Sequence, residues 1–359
     1  MDSRRDFFKT VAGAAAGATV LGRNVLAPSR VDAQTPPARR QVSIGGTRVR
    51  VVDIHAHATV PEVDPVVKGT AYERNAGGRP LGADRIALID KQGIDVQVLS
   101  INGFWWWEVK ERDVADRIVR AQNEGLARFV SQHPDRFVAM ASTSLQFPDL
   151  AAQQLEDGVK RLGLRAAAIG GHVNGEDLSL PKFDPFWAKA AELGVVVFMH
   201  PGGADNIIRD GAWRGRGDIG NIIGNPLETT YFLSRLIFDG TFDKFPGLRV
   251  AAAHAGGYLP SYMMRTDVAC EVRNNANCAN KKRPKEYLRS QILVDTMVFS
   301  DEGLRHLVAE MGVSQIVYGT DNPLNWPVTV DLVLNASWLS NADKEAILGG
   351  NLTKLLRIT

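Results

Sequence analysis

Short apolar runs alternate with amphipathic helical stretches along most of this chain. Runs of this kind are typical of strands buried on both faces, and their alternation with helices is typical of a parallel sheet. The helical stretches span residues 113–132, 150–162, 184–193, 229–238 and 301–311, the third with Asp184 as its predicted N-cap and Pro185 as its first helical residue. The strand-like runs begin near Arg50, Val96, Arg136, Arg165, Val195, Arg249, Gln291 and Gln315. Eight strand–helix units predict an α/β protein with (β/α)8 TIM-barrel architecture.

Length and charge agree with one such barrel. The chain has 359 residues, of which 45% are hydrophobic, and a barrel of about 250 or more residues would use most of them. Of 42 basic and 40 acidic residues, five and three lie in residues 1–33, so the remainder carries 37 of each. A body without excess positive charge argues against nucleic acid as a partner.

The N-terminus has the pattern of an export signal. Paired arginines, Arg4 and Arg5, precede a mild apolar run from Val11 to Leu21 that is too short to span a membrane. This pattern resembles a twin-arginine signal peptide over residues 1–33, with small residues at Val31 and Ala33 as a cleavage site. We expect a periplasmic or otherwise exported protein without stable membrane insertion, a linker over 34–47 and a catalytic domain over 48–359. A disordered amphipathic tail is the alternative.

Two cysteines, Cys270 and Cys278, lie eight residues apart. In an oxidising compartment they can close a small loop, but the sequence leaves open whether they do. Neither has a neighbouring His or Cys at zinc spacing, so we leave both out of any metal site.

Polar residues with metal-binding side chains stand at the ends of four strand-like runs. His55 and His57 alternate with apolar residues and therefore share one face of the first strand. His200, His254 and Asp321 follow the fifth, sixth and eighth runs. The C-terminal ends of barrel strands converge, and imidazole nitrogen with carboxylate oxygen suits zinc-like ions. This placement predicts a metal-dependent active site.

A lone histidine at a strand end is more often a core or capping residue than a ligand. The joint placement of four such residues is what makes a metal site the better interpretation here. His133 precedes a proline at a predicted helix end and His306 lies within a helical pattern, so we interpret both as structural.

Several motifs carry a resemblance to a known family. They are Asp53-Ile54-His55-Ala56-His57, Ile169-Gly170-Gly171-His172-Val173-Asn174-Gly175, Phe245-Pro246-Gly247-Leu248-Arg249, His254-Ala255-Gly256-Gly257, Tyr318-Gly319-Thr320-Asp321-Asn322-Pro323 and Leu348-Gly349-Gly350-Asn351. Over residues 48–357 the chain resembles the amidohydrolase superfamily, in the branch around aminocarboxymuconate semialdehyde decarboxylase.

The resemblance implies a ligand set and a reaction. His55, His57, His200 and Asp321 would hold one divalent ion, zinc or alternatively manganese, and His254 would be the acid/base. Asp321 would also relay protons. Ala166, Ala167 and Ala168 stand where binuclear relatives carry a bridging lysine, which favours one ion over two. The resemblance also implies a homodimer. Arg265, eleven residues after His254, matches the spacing of an arginine that in the decarboxylase reaches a carboxylate across a dimer interface; an exposed helical arginine is the alternative.

The substrate contacts are less well defined. The resemblance points to His172 and Asn174, together with Arg265. Trp105 and Trp106 lie in the segment Phe104–Trp107 after the second strand, where they can form an aromatic wall for a planar substrate; an interface or a lid is the alternative. The arginine that follows the first strand in the decarboxylase has no clear match, and its candidates are Arg74, Arg79 and Arg85.

The sequence is compatible with three functions. The first is a metal-dependent carboxy-lyase that acts on an aromatic or unsaturated, muconate-like carboxylic acid. The second is a metal-dependent hydrolase of a lactone, ester or amide that uses metal-activated water with Asp321 as base. The third is a non-catalytic metal-binding or partner protein, which a complete ligand set makes unattractive. The fold alone does not separate them.

Overall fold

Eight parallel strands form the central sheet. The computed structural model describes residues 39–73, 81–208, 213–273 and 275–359; the predicted signal peptide with its predicted cleavage site, Arg74 and Arg79 lie outside the described residues. We number the strands in chain order: β1 Val52–His57, β2 Val96–Ser100, β3 Phe137–Ala141, β4 Ala166–Ile169, β5 Val196–Met199, β6 Arg249–Ala252, β7 Ile292–Asp295 and β8 Ile316–Val317. Each begins within two residues of the predicted start.

The sheet is a nearly closed barrel. Neighbouring strands pair in parallel in sequence order from β1 to β8. Beyond β8 the chain returns to β1, where Ile54 N donates to Tyr318 O at 3.0 Å and His57 N donates to Asn322 O at 2.8 Å. The predicted (β/α)8 TIM barrel is therefore confirmed.

Thirteen α-helices lie within the described residues and cover or cap this sheet. In chain order they are Asp64–Val67, Ala83–Gln92, Arg112–Gln132, Pro148–Lys160, Asp184–Leu193, Asn225–Phe238, Thr241–Lys244, Met263–Val272, Pro284–Leu288, Asp301–Met311, Val330–Asn335, Asn341–Glu345 and Asn351–Leu355. Within the described ranges, none has the length and apolar character needed to cross a bilayer.

The strands are buried on both faces, which explains their continuous apolar runs. Every residue of β1, β2, β4, β5 and β7 is buried. Two short hairpins lie outside the barrel, Ser43–Ile44 with Thr47–Arg48 and His172–Val173 with Glu176–Asp177.

One helix start differs from the prediction. Asp184 is the first helical residue rather than the N-cap, and the chain enters the helix through a 3-10 turn over Pro181–Phe183. The N-cap position is taken by Phe183, which has helical backbone angles and makes no side-chain capping bond.

The two cysteines form a disulfide bond. It joins the last turn of the helix Met263–Val272 to the segment that follows it. The possibility that the sequence left open is thus realised in the structure.

Candidate metal centre and active site

Four side chains meet at the C-terminal end of the barrel. His55, His57, His200 and Asp321 each offer one ligand atom, and these atoms lie within 4.8 Å of one another. Asp321 Oδ1 lies 3.1 Å from His55 Nε2 and 2.5 Å from His57 Nε2. All four residues are buried.

The strands explain this convergence. His55 and His57 lie in β1, and His200 directly follows β5, where its N–H donates to Ile169 O of β4 at 2.8 Å. Asp321 lies four residues beyond β8, where the chain pairs with the end of β1. Residues separated by more than 260 positions are therefore held together by the closure of the barrel.

The donor set fits a divalent cation. His200 Nε2 is buried and makes no hydrogen bond with any described residue, and the polar neighbour of His55 Nε2 is the carboxylate of Asp321, 3.1 Å away. Unpaired buried nitrogens are costly in a folded protein unless a ligand satisfies them. Three imidazoles and one carboxylate are the ligands that zinc-like ions prefer.

The charges agree with this interpretation. Burial lowers the pKa of His200, and the neighbouring His57 and His55 lower it further, so the ring is neutral and keeps a lone pair for a metal. Burial raises the pKa of Asp321, but the nearby ring nitrogens of His254, His55 and His57 outweigh that effect and hold its pKa well below the usual range. The ionised carboxylate of Asp321 therefore lies beside a neutral His200. Burial lowers the pKa of His55, but the carboxylates of Asp295 and Asp321 raise it to about 10, so a bound metal ion would displace a proton from this ring.

Asp295, the last residue of β7, orients His55 and the backbone at His254 through hydrogen bonds. Its Oδ2 lies 2.7 Å from His55 Nδ1, which leaves His55 Nε2 facing the cluster. Asp295 also accepts hydrogen bonds from His254 N at 3.0 Å and Ala255 N at 2.8 Å. The sequence analysis missed this residue, although the rule that found Asp321, a carboxylate at the end of a predicted strand, would have found it.

His254 stands beside the ligand group without belonging to it. Its Nε2 lies 3.8 Å from Asp321 Oδ2, and its side chain is 16% exposed. The backbone of His254 has a positive φ of 54°, a conformation that is rarely adopted without support. The two hydrogen bonds to Asp295 supply that support and aim the ring into the site. Its acid/base role stays a prediction.

A polar network lies behind β1. Asp53 accepts hydrogen bonds from Thr320 Oγ1 at 2.6 Å and from Gln97 Nε2 at 2.9 Å. Burial raises the pKa of Asp53 to about 6, although these two bonds lower it. The network fixes Thr320, which directly precedes Asp321.

Arg85 belongs to this network and is not an exposed contact for a carboxylate. Its guanidinium donates to Gln97 Oε1 at 2.9 Å and to His57 O at 2.6 Å, and the residue is buried. The structure therefore assigns it to support of β1. The other two arginine candidates lie outside the described residues.

Only some of the tryptophans in the segment Phe104–Trp107 line a pocket. Residues Trp105–Glu108 form a 3-10 helix, in which the indole N–H groups of Trp106 and Trp107 both donate to Thr143 O, at 2.9 and 2.7 Å. Trp106 is completely buried, so the prediction that it contacts substrate is corrected: packing and this hydrogen bond place it in the core. Trp105 and Trp107 line a pocket of roughly 330 Å³.

His172 and Asn174 line the same pocket. His172 Nδ1 accepts from Gly175 N at 3.0 Å, so its Nε2 carries the proton and donates to Asp205 at 2.8 Å. Asn174 donates to Trp107 O at 2.9 Å. Both side chains hold the pocket loops together, and their contact with substrate stays a prediction.

Glu228, a further pocket residue, was not anticipated. Its carboxylate accepts four backbone hydrogen bonds: from Gly171 N at 3.0 Å and from Gly202, Gly203 and Ala204 N at 2.8 Å each. It is buried and ties the loop after β4 to the loop after β5, directly beyond His200. A glutamate inside an amphipathic helix gives no signal of this role in the sequence.

Arg265 lies exposed on the helix Met263–Val272 and makes no hydrogen bond or ion pair with other described residues. Tyr262 and Met264 beside it are 63% and 56% exposed. The homodimer, and a role for Arg265 across its interface, stay predictions.

Comparisons with known proteins match nearly the whole described barrel. A family model described as amidohydrolase matches residues 52–358. The chain is 32% identical to 2-amino-3-carboxymuconate-6-semialdehyde decarboxylase of Dictyostelium discoideum, covering 76% of this chain and 75% of that protein. It is 30% identical to gamma-resorcylate decarboxylase of Polaromonas sp., covering 76% and 86%.

Solved structures show the same fold. The 2,6-dihydroxybenzoate decarboxylase from Rhizobium superposes with a TM-score of 0.75 at 27% identity, covering 86% of this chain and 99% of that one. A dihydroxybenzoic acid decarboxylase from Polaromonas sp., solved with manganese and the inhibitor 2-nitroresorcinol, gives a TM-score of 0.73 at 25% identity, covering 86% and 97%. Together with the buried His/Asp cluster, these findings support a divalent metal site in this chain.

Replacing one metal ligand should abolish stoichiometric metal binding. We expect His55→Ala and Asp321→Ala each to lose bound metal, because either change removes one of four converging ligand atoms. Elemental analysis of the purified protein measures the metal content, with His133→Ala, at the end of a surface helix, as the control. Full occupancy in either ligand variant would refute the assignment of these residues.

Glu228→Gln should loosen the two pocket loops. The change replaces one acceptor oxygen by an NH2 group that faces backbone N–H donors, and we expect a loss of about 1–3 kcal/mol in the free energy of unfolding. Urea denaturation measures this loss, with the exposed Glu192→Gln as a matched control. A stability equal to that of the control would show that the four hydrogen bonds contribute little.

Proposed function

The chain belongs to the amidohydrolase family, and we propose that it is a divalent-metal-dependent decarboxylase of an aromatic or unsaturated, muconate-like carboxylic acid. One observation carries the proposal: the buried group of His55, His57, His200 and Asp321, with His254 beside it. This arrangement can hold a cation that binds a substrate oxygen and can deliver a proton from an imidazole at the same place.

The related proteins favour decarboxylation over hydrolysis. Those named above act on resorcylate-type aromatic acids or on aminocarboxymuconate semialdehyde. All of these are planar, unsaturated acids that lose a carboxyl group. The hydrolase with Asp321 as base is therefore not favoured. A non-catalytic metal-binding protein is not favoured either, because it would not need an imidazole beside the ligand group such as that of His254.

We propose zinc as the resident ion, with manganese as the alternative. Histidine nitrogen suits zinc, whereas a related structure contains manganese. When bound, the ion would act as a Lewis acid toward an oxygen of the substrate.

His254 supplies the proton in this proposal. The imidazole gives a proton to the carbon that carries the carboxylate, and the bond between that carbon and the carboxyl group then breaks. The electrons of this bond restore the unsaturated system, and CO2 leaves. Asp321 Oδ2 lies 3.8 Å from His254 Nε2, so the two groups between which a proton would pass are neighbours.

The pocket between the loops after β2, β4 and β5 is the proposed place for the rest of the substrate. Trp105 and Trp107 offer flat apolar faces, and Asn174 offers a polar group at the edge. Aromatic faces of this kind suit a planar ring.

His254→Asn should abolish decarboxylation and leave the metal in place. We expect CO2 release to fall by about 100- to 10,000-fold, because the proton donor is removed while all four ligand residues remain. The assay measures CO2 from a panel of hydroxybenzoates and muconate-like acids, with metal content determined on the same samples. His306→Asn, on an exposed helical face, is the control and should keep full activity.

Different results would separate the alternatives. CO2 release by His254→Asn at the rate of the unmodified protein would contradict the role of His254. A metal-loaded protein that releases no CO2 from any acid but cleaves lactones or esters would replace the decarboxylase by the hydrolase.

We also propose that the protein is exported to the periplasm as a folded enzyme. The paired arginines at residues 4 and 5 support this, and so does the bond between Cys270 and Cys278, since disulfides persist in oxidising compartments. Expression in a bacterium with a twin-arginine pathway should yield periplasmic protein that begins at Gln34, as determined by N-terminal sequencing. Cytoplasmic protein with an intact N-terminus would contradict export, and Arg4→Lys with Arg5→Lys should retain the protein in the cytoplasm.

A further inference from the structure

The two histidines of β1 differ in what holds their second ring nitrogen. His55 Nδ1 lies 2.7 Å from the carboxylate of Asp295, whereas His57 Nδ1 is in hydrogen-bond contact with the side-chain amide of Asn102. The Nε2 atoms of both rings face Asp321 Oδ1. Asn102 lies two residues beyond the end of β2 and has no role in the site as described so far.

The proton count of His57 constrains this contact. A neutral imidazole carries one ring proton, and the nitrogen that binds a metal must be the one without it. If His57 binds an ion through Nε2, its proton lies on Nδ1 and must be donated. An amide oxygen can accept that proton, whereas an amide NH2 group cannot.

The amide of Asn102 stands in the opposite orientation. Its Nδ2 faces His57 Nδ1, while its Oδ1 is buried without a hydrogen-bond partner among the described residues. The two ends of an asparagine amide have nearly the same shape, so a half-turn about the Cβ–Cγ bond exchanges them without moving neighbours. After this turn the oxygen accepts from His57, and the NH2 group occupies the buried position, where water or an oxygen of a bound acid can accept from it.

We propose that Asn102 is a positioning residue of the metal centre. With its amide oxygen turned toward His57 Nδ1, it fixes the tautomer and the ring orientation in which Nε2 binds the ion. Asn102 thus does for His57 what Asp295 does for His55, and it does so without adding a further negative charge beside Asp321. The inference rests on the proposed metal site but not on the identity of the substrate.

Metal affinity tests the proposal independently of activity. Asn102→Leu keeps the size of the side chain but has no acceptor, and we expect it to bind Zn²⁺ roughly 10- to 100-fold more weakly. Asn102→Asp should bind Zn²⁺ at least as tightly as the unmodified protein, because a carboxylate can only accept. Competition with a chelator of known affinity measures both. Asn351→Leu, whose amide donates to Val313 O and Ile316 O at 2.9 Å each beside the start of β8, is the matched control with unchanged affinity.

The variants can also fail in ways that decide the question. Unchanged affinity in Asn102→Leu, or equal losses in the Leu and Asp variants, would overturn the proposal. Thermal melting shows whether a loss of affinity reflects unfolding instead. If the variants do unfold, NMR of the ¹⁵N-labelled, zinc-loaded unmodified protein determines the tautomer of His57 directly. A proton on His57 Nδ1 supports the proposal, and a proton on Nε2 overturns it. If the unmodified protein binds no divalent ion, the metal site and this inference fail together. If it binds Zn²⁺ tightly and the Asn102 variants bind it equally well, the metal site stands and only the inference about Asn102 fails.

Discussion

The pairing of the last strand with the first is the constraint on which the site depends. His57 N donates to Asn322 O at 2.8 Å, and this bond brings Asp321 against the histidines of β1. Asp321 itself has a positive φ of 58°, so its backbone conformation is maintained by the surrounding structure. Without closure of the barrel, the carboxylate and the imidazoles would have no common centre at which to bind a ligand.

Support for the metal ligands comes from buried polar groups on neighbouring strands. Asp295 at the end of β7 holds His55 and the backbone of His254, so the same carboxylate orients a ligand and the proposed proton donor. Asp53 fixes Thr320 next to Asp321 in a similar way. Ligands that are held from behind keep their orientation in the absence of an ion, which reduces the cost of ordering them when it binds.

The site is divided between a rigid centre and a pocket built from loops. The centre lies on strands and is buried, whereas the proposed substrate pocket is formed by the loops after β2, β4 and β5. Glu228 joins two of these loops through four backbone hydrogen bonds. Loops can vary in sequence and shape while the strands that hold the centre stay the same, so the loops are where substrate specificity can be set.

The sequence alone determined the barrel and the converging ligand residues, because buried parallel strands have continuous apolar runs that alternate with helical stretches, and metal-binding side chains follow four of these runs. It did not determine which side chains support that site. Trp106 and Trp105 are adjacent in sequence, yet only the tertiary packing puts one in the core and the other at the pocket. Asn102, Asp295 and Glu228 act through contacts with residues 24 to 240 positions away. Local patterns contain no information on such contacts, since the distance between two elements is fixed only when the barrel closes.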